Sequence, residues 1–239
     1  MRMLVFSDIF RQDIRSVLLL SHFRWVNYKV GKIIDQVSDV LWSKLSSKPL
    51  TGLDHDRFLY IVVKFREKWS FCNVIGCIDG EHVCCKCPTK FGSLFYNYKL
   101  FFLVVLQGVT DSESIFIFID VGAYGKQSDG GTFSASTLYN FLGDFESTLP
   151  KPASFEGSGI EMPFVVLGDE AYPLKMYLMK PFARKHLSCE EHVFNYRLSW
   201  ARRCVECAFG ILIAKWWLLN TAIELNVSKG VFFYCITSL

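Results

Sequence analysis

Four short apolar runs constrain the fold of this chain more than any other feature. They are rich in Phe, Val, Ile and Leu and cover residues 74–78, 101–109, 115–121 and 164–167. Runs of this length and composition are typical of buried β-strands. The polar link at 110–114 is short enough to join the second run to the third as an antiparallel hairpin. The sequence therefore predicts a buried sheet that is at least partly antiparallel.

Segments with helical spacing precede and interrupt these runs. Apolar residues recur every three or four positions over 30–41, over 58–65 and over 132–147. The pattern changes from helical to strand-like near residue 70. This change predicts a short helical N-terminal region, residues 1–70, followed by an α/β domain over residues 71–239.

The last long helix has a recognisable start. Ser188 and Glu191 match a capping box, in which the serine accepts from the third helical amide and the glutamate reaches back to the cap. We expect a long helix to begin there and to include Glu206. The preceding segment, residues 150–163, is bounded by prolines and is predicted to be a loop.

Composition excludes several classes of protein. The chain has 239 residues, of which 51% are hydrophobic and 21% charged, so it can bury a core and is not a disordered chain. The net charge of +3 is too small to act by itself as the footprint of a nucleic-acid binder, so any basic surface must be local.

The cellular setting is predicted from cysteine usage and hydropathy. Nine cysteines, an odd number with irregular spacing, fit reduced thiols and hence the cytosol or nucleus. No run reaches the roughly 18 apolar residues that a membrane-spanning helix needs. The apolar stretch at the start is too short for a signal peptide, so we expect synthesis without export and no membrane partner.

Two carboxylates follow apolar runs. Asp79 follows residues 74–78, and Asp169 follows the run that ends at residue 167. Open α/β sheets bind ligands at such strand ends, so these acids are candidate site residues. A simpler alternative is that Asp79 forms a turn with Gly80 and that Asp169 caps a helix.

Glu206 is the third candidate. It lies between Val205 and Phe209, which share one helical face, so we expect its carboxylate to be half-buried. A salt bridge to Arg202 or Arg203 is the alternative role. Together the three acids could hold two divalent cations for phosphoryl transfer, and hard oxygen ligands select Mg²⁺ or Mn²⁺.

A series of short strings resembles, in order, the DDE domain of PIF/Harbinger transposases and the nucleases derived from them. The strings are IDGEHV (78–83), FYNYK (95–99), DVGAYG (120–125), SDGG (128–131), GDEAYPL (168–174), FNYRLS (194–199) and VECAFG (205–210). The resemblance covers about residues 25–239. It implies an RNase H-like fold, a mixed sheet with flanking helices.

The resemblance also implies a site and a function. Asp79, Asp169 and Glu206 would be the catalytic, metal-binding acids of a DNA endonuclease that needs Mg²⁺ or Mn²⁺. Asp129 matches another acidic family position and His82 the histidine after the first acid, but a turn and a structural histidine explain them as well. The implied partners are DNA and a Myb/SANT-like protein, the implied location is the nucleus, and a homo-oligomer stays open.

The chain departs from the family pattern in places. The N-terminal region would be a shortened remnant of a helix-turn-helix, because Gly31 runs directly into the next helical residues, and both ends are shorter than is usual. Trp200 and Trp217 stand where the family pattern has arginine, which removes potential phosphate contacts. Basic residues that remain near the third acid are Arg184, Lys185, Arg197, Arg202, Arg203 and Lys215.

Cysteine motifs raise a zinc site as a further alternative. Cys204 and Cys207 flank Glu206, and three cysteines lie at 84–87, but their spacing does not match that of a four-ligand zinc site. Buried free thiols are the preferred interpretation. Two hypotheses of function remain, a metal-dependent nuclease and a domesticated copy that binds DNA or protein without cutting.

Overall fold

The computed structural model describes the central part of the chain. The described residues are 32–33, 36–37, 40, 55–85, 102–124, 129–136, 138–140, 142–143, 153–154, 161–216 and 219. The described residues of the helix predicted over 30–41 are helical, and the rest of that prediction lies outside the described part. The same is true of the string at 95–99 and of most of the N-terminal region.

The described residues form ten regular elements. The helices are α1 (His55–Trp69), α2 (Asp129–Ala135) and α3 (Cys189–Lys215); the strands are β1 (Val74–Cys84), β2 (Leu103–Thr110), β3 (Phe116–Tyr124), β4 (Ala153–Ser154), β5 (Glu161–Met162), β6 (Val165–Leu167) and β7 (Leu178–Met179). All four predicted strands are therefore present. The loop predicted over 150–163 is wrong in part, because β4 and β5 pair within it as a small antiparallel sheet.

Five strands form one mixed sheet in the order β3-β2-β1-β6-β7. β1, β2 and β3 are antiparallel neighbours, whereas β6 and β7 run parallel to β1. Every residue of β2 is buried because this strand lies between two neighbours and beneath covered faces. The α/β fold class is confirmed: a mixed sheet with flanking helices, consistent with the RNase H-like arrangement.

Helices cover both faces of the sheet. The first buried cluster joins α3 and α1 to the sheet through residues such as Phe65, Cys77 and Val205. A second cluster includes Phe133 of α2 and Tyr172. Because α1 contributes to the first cluster, it packs on the same core as the sheet. The domain boundary predicted near residue 70 stays a prediction. No helix in the described ranges is both long enough and apolar enough to cross a membrane.

The helix α3 is held at its start and along one face. Ser188 Oγ accepts from the Glu191 amide at 3.2 Å, and the Glu191 carboxylate accepts from the Ser188 amide at 2.8 Å, which confirms the predicted capping box. Its buried residues recur at helical spacing: Leu198, Ala201, Cys204, Val205, Ala208, Phe209 and Leu212. This packing lays α3 across the sheet next to β1.

Candidate active site

Asp79 lies inside a strand rather than beyond its end. β1 continues to Cys84 because it keeps pairing with β2, and Asp79 stands opposite Gly108 there. The alternative in which Asp79 and Gly80 form a turn is therefore wrong. The position still marks an edge, since the parallel pairing of β1 with β6 reaches only as far as Cys77 and Leu167. Asp79 thus lies where β1 loses its neighbour on one side.

The register of β1 and β6 carries the chain from Leu167 towards Asp79. Cys77 pairs with Leu167 in the parallel ladder; Asp79 follows two residues later within β1, and Asp169 follows two residues later in the turn after β6. Asp169 Oδ1 accepts from the Ala171 amide at 2.9 Å, so it organises a turn after β6 and not a helix, as the capping alternative required. The turn continues into Tyr172, which is fully buried.

Glu206 reaches the same region from α3, although its exposure differs from the expectation. The residue is exposed, whereas the sequence predicted a half-buried carboxylate. Val205 and Phe209 are both buried. Successive residues of a helix are rotated by about 100°, so the Glu206 side chain is turned away from Val205 and towards solvent. The carboxylate is therefore accessible from outside the protein.

The electrostatics of Asp79 link the three acids. Its pKa is raised from 3.8 to about 6, chiefly by burial, and the negative charges of Asp169 and Glu206 add to the rise. The Arg202 guanidinium and a hydrogen bond from the Gly80 amide oppose it. Asp169 and Glu206 therefore lie close enough to Asp79 for their charges to raise its pKa, since like charges act on an acid mainly at short range.

The ion-pair partner of Arg202 differs from the one that the sequence predicted. Its Nη2 donates to Asp79 Oδ2 at 2.9 Å, and the two side chains are only 11% and 22% exposed. The sequence offered Arg202 as a salt-bridge partner of Glu206, one helical turn later. Arg202 Nε is buried and has no hydrogen-bond partner among the described residues.

The donor set suits a hard divalent cation in type and charge. Three carboxylates offer oxygen ligands, and the single guanidinium balances only one of their charges. In the described part of the chain, however, no group of three or more His, Cys, Asp or Glu side chains is arranged to hold a metal ion. The oxygen ligands and their negative charge thus suit a divalent ion, although they are not arranged around one. In the described arrangement the Arg202 guanidinium is the cation that balances the charge of Asp79.

The other candidate residues occupy different places. His82 is exposed on β1, and the alternation of a strand puts it on the opposite sheet face from Asp79. Among the cysteines, Cys204 is buried and Cys207 is exposed, and both are free thiols. Burial raises the pKa of the Cys77 thiol, which packs near Cys204. The free state of both thiols agrees with the preferred interpretation, whereas the exposure of Cys207 differs from the burial that it predicted.

The helix α2 begins beside the Asp169 turn. Asp129 is its first residue, and a Cβ atom added at Gly130 would lie 2.4 Å from the Ala171 carbonyl oxygen. Only a residue without a side chain permits this approach. The close contact places the backbone of the SDGG string next to the turn that carries Asp169.

Gly130→Ala tests this close contact. We expect it to lower the free energy of unfolding by about 1–3 kcal/mol, because the new methyl group must displace backbone rather than a flexible side chain. Urea denaturation measures the effect. The matched control is Gly210→Ala in α3, where a Cβ meets nothing within 4 Å and helix propensity favours alanine by about 1 kcal/mol. Equal stability changes in both variants would contradict the contact.

Comparisons with known proteins identify a family and a relative. The model of a family described as DDE superfamily endonuclease matches residues 78–236, a range that includes Asp79, Asp169 and Glu206. The chain is also 24% identical over 196 residues to Protein ALP1-like of Arabidopsis thaliana, a match that covers 77% of this chain and 47% of that protein. The chain thus spans about half the length of this curated relative. No solved structure matches.

Proposed function

This chain belongs to the DDE superfamily endonuclease family, and from that premise we propose that it cleaves DNA phosphodiester bonds with the help of a divalent cation, Mg²⁺ or Mn²⁺. The catalytic acids in this proposal are Asp79, Asp169 and Glu206. The observation that supports it most is the parallel pairing of β1 with β6, in which Cys77 lies opposite Leu167 and each aspartate follows its paired residue by two positions. The raised pKa of Asp79 supports the same grouping.

The three acids share one task in the proposed site. Asp79, Asp169 and Glu206 would hold the divalent ions. When bound, the ions supply Lewis-acid activation of a nucleophile and stabilise the leaving oxygen. The hydrogen bond that Asp169 accepts from the Ala171 amide orients its carboxylate for this task. The half-buried Asp79 is held at the sheet edge because β1 pairs with β2.

Arg202 has two partners in this proposal. In the described arrangement it neutralises Asp79. Its buried Nε–H, which has no acceptor among the residues the structure describes, is suited to a phosphate oxygen of the substrate, since guanidinium groups bind phosphates through two N–H groups. Arg202 would thus help to position the scissile phosphate when an ion takes over the charge of Asp79.

DNA is the proposed substrate on the basis of family and local charge. Exposed basic residues lie on α3 and on the segment that leads into it: Arg184, Lys185, Arg197, Arg203 and Lys215. They form a local basic surface on a chain whose net charge is only +3. The same proposal includes a nuclear location and a Myb/SANT-like partner, both of which rest on the resemblance of the sequence.

A binding protein that does not cut DNA is the second candidate. The ion pair between Arg202 and Asp79 favours it, because the guanidinium occupies an oxygen that an ion would need. In that case the acids would persist as a structural charge cluster, and the basic surface of α3 would bind DNA or a protein.

Ion binding and nicking of supercoiled DNA by the purified wild type distinguish the two candidates. We expect calorimetry to detect Mn²⁺ binding and a plasmid assay to show nicking with Mn²⁺ or Mg²⁺ and none in EDTA. A folded wild-type protein that binds no divalent ion and nicks no plasmid would contradict the nuclease and leave the binding protein.

A further inference from the structure

One face of α3 points into solvent and carries aromatic residues. Exposed residues recur along it every three or four positions: Val193, Tyr196, Trp200, Arg203, Cys207 and Ile211. No acidic residue belongs to this series, and Glu206 borders it one turn after Arg203. We call Tyr196, Trp200 and Arg203 the aromatic–arginine face.

The rings of this face are arranged in a stack. Tyr196 and Trp200 are nearly parallel, with ring centroids 6.4 Å apart and planes inclined by 19°. Their exposed fractions, 68% and 42%, leave ring surface open to solvent. The Arg203 guanidinium lies 4.8 Å from the Trp200 ring centroid. Flat π-surfaces beside a guanidinium are the elements that bind unpaired bases in single-stranded nucleic acids.

The end of α1 holds Trp200 in place. Trp69 contacts Trp200 edge to face with centroids 6.1 Å apart, and Trp69 Nε1 donates to the Ser112 carbonyl at 3.0 Å. Lys68 lies over the Trp69 ring and donates to the same carbonyl. The hydrogen bond fixes Trp69, and Trp69 in turn limits the rotamers of Trp200. The Trp200 side chain therefore loses less conformational entropy when a flat ligand stacks on it.

We propose that the aromatic–arginine face binds an unpaired base of single-stranded DNA close to the catalytic acids; the proposal takes its substrate class and the position of the acids from the proposed function. The base stacks on Tyr196 and Trp200. Arg203, together with the exposed Arg197 and Lys68, contacts the phosphates on either side. The absence of acidic residues from the face suits a polyanion.

Position along the helix connects this face to the proposed chemistry. Glu206 follows Arg203 by three residues, which is a rise of about 4.5 Å along the helix. Trp200 precedes Glu206 by six residues, a rise of about 9 Å, so a strand whose base stacks on Trp200 would have neighbouring phosphates within reach of the proposed catalytic acids. The site would hold DNA that is locally unpaired and would bind duplex DNA more weakly.

Fluorescence anisotropy with a labelled oligo(dT) single strand tests the proposal. The assay is run in EDTA, so that binding is measured without cleavage, and is repeated with a duplex of equal length. We expect Trp200→Leu and Tyr196→Ala each to weaken oligo(dT) binding roughly tenfold, the loss of one stacked base. Trp200→Phe keeps a ring and should stay within about threefold of wild type.

Controls separate stacking from charge and from folding. Ile211→Ala changes an exposed residue of the same series about 16 Å along the helix and should bind as wild type does. Arg203→Gln should flatten the salt dependence of binding, whereas Trp200→Leu should leave it unchanged. If Trp200→Leu fails to fold, Tyr196→Ala carries the test, because Tyr196 is 68% exposed.

The outcomes distinguish this proposal from the proposed function. Wild-type affinity in Trp200→Leu and Tyr196→Ala, or an equal loss for single strand and duplex, would overturn the stacking site even in a protein that nicks DNA. Ring-dependent binding of oligo(dT) by a protein that never nicks would support the stacking site and contradict the nuclease.

Discussion

Asp169→Asn is expected to abolish divalent-ion binding and to reduce plasmid nicking by at least about a thousandfold, while the fold stays intact. Asparagine keeps the shape of the side chain and an oxygen that can accept from the Ala171 amide, so the turn after β6 is retained. The substitution removes only the negative charge, which is what an ion requires of this position.

The same substitution has an electrostatic signature that does not depend on activity. The charge of Asp169 contributes to the raised pKa of Asp79, so Asp169→Asn should lower the pKa of Asp79 below the wild-type value of about 6. Carboxyl carbon chemical shifts followed against pH measure this change. Calorimetry and the plasmid assay measure ion binding and nicking.

Glu170→Gln is the matched control for this prediction. Glu170 is exposed in the same turn and is the neighbour of Asp169 in the sequence, so the control removes one negative charge from nearly the same place. We expect it to keep ion binding and most of the nicking activity. Comparable losses in both variants would show that net charge, and not the Asp169 carboxylate, governs the site.

Arg202→Gln is expected to lower the free energy of unfolding by about 2–4 kcal/mol at about pH 8. The guanidinium and the Asp79 carboxylate are both mostly buried and lie 2.9 Å apart, so removal of one leaves the other charge without its partner. Truncation of one member of a buried ion pair costs more than the loss of an exposed pair, because the remaining charge stays desolvated.

The effect of Arg202→Gln should depend on pH in a defined direction. The folded-state pKa of Asp79, about 6, lies above the ordinary value of 3.8, so the folded protein binds more protons in that window and becomes less stable as pH rises through it. Arg202 opposes this rise in pKa, and its removal raises the pKa of Asp79 further. The destabilisation should therefore be small near about pH 5 and large near about pH 8.

Urea denaturation of wild type, Arg202→Gln and Arg203→Gln at both pH values measures this dependence. Arg203 is exposed, and its replacement should change stability by less than about 1 kcal/mol at either pH. A loss of stability in Arg202→Gln that is equal at the two pH values would contradict a role through Asp79.

Much of the fold could be predicted because its signals are local. Strand positions follow from apolar runs, and the start of α3 follows from Ser188 and Glu191, whose side chains and amides are three residues apart. The grouping of Asp79 with Asp169 was also expected, since both follow buried apolar runs. Hydrogen bonds and burial patterns within one element correspond to residue spacings that can be recognised in the sequence.

The details of the site depended on contacts between distant segments. The sequence ended the first strand at residue 78, but pairing with β2 carries β1 to Cys84 and leaves Asp79 inside it. Strand length here is decided by a neighbour, and the apolar run alone does not report that neighbour.

Local sequence patterns were enough to predict four of the strands, the start of α3, the fold class and three candidate acids. Contacts between distant segments decide that Arg202 binds Asp79, that Glu206 is exposed, and that Trp200, stacked on Tyr196, also lies beside Trp69. The pairing of Arg202 with Asp79 joins residues 123 positions apart. It depends on the rotation and height of α3 over the sheet, which are set by how Ala201, Val205 and Ala208 pack against the core rather than by any local signal around the charged residues.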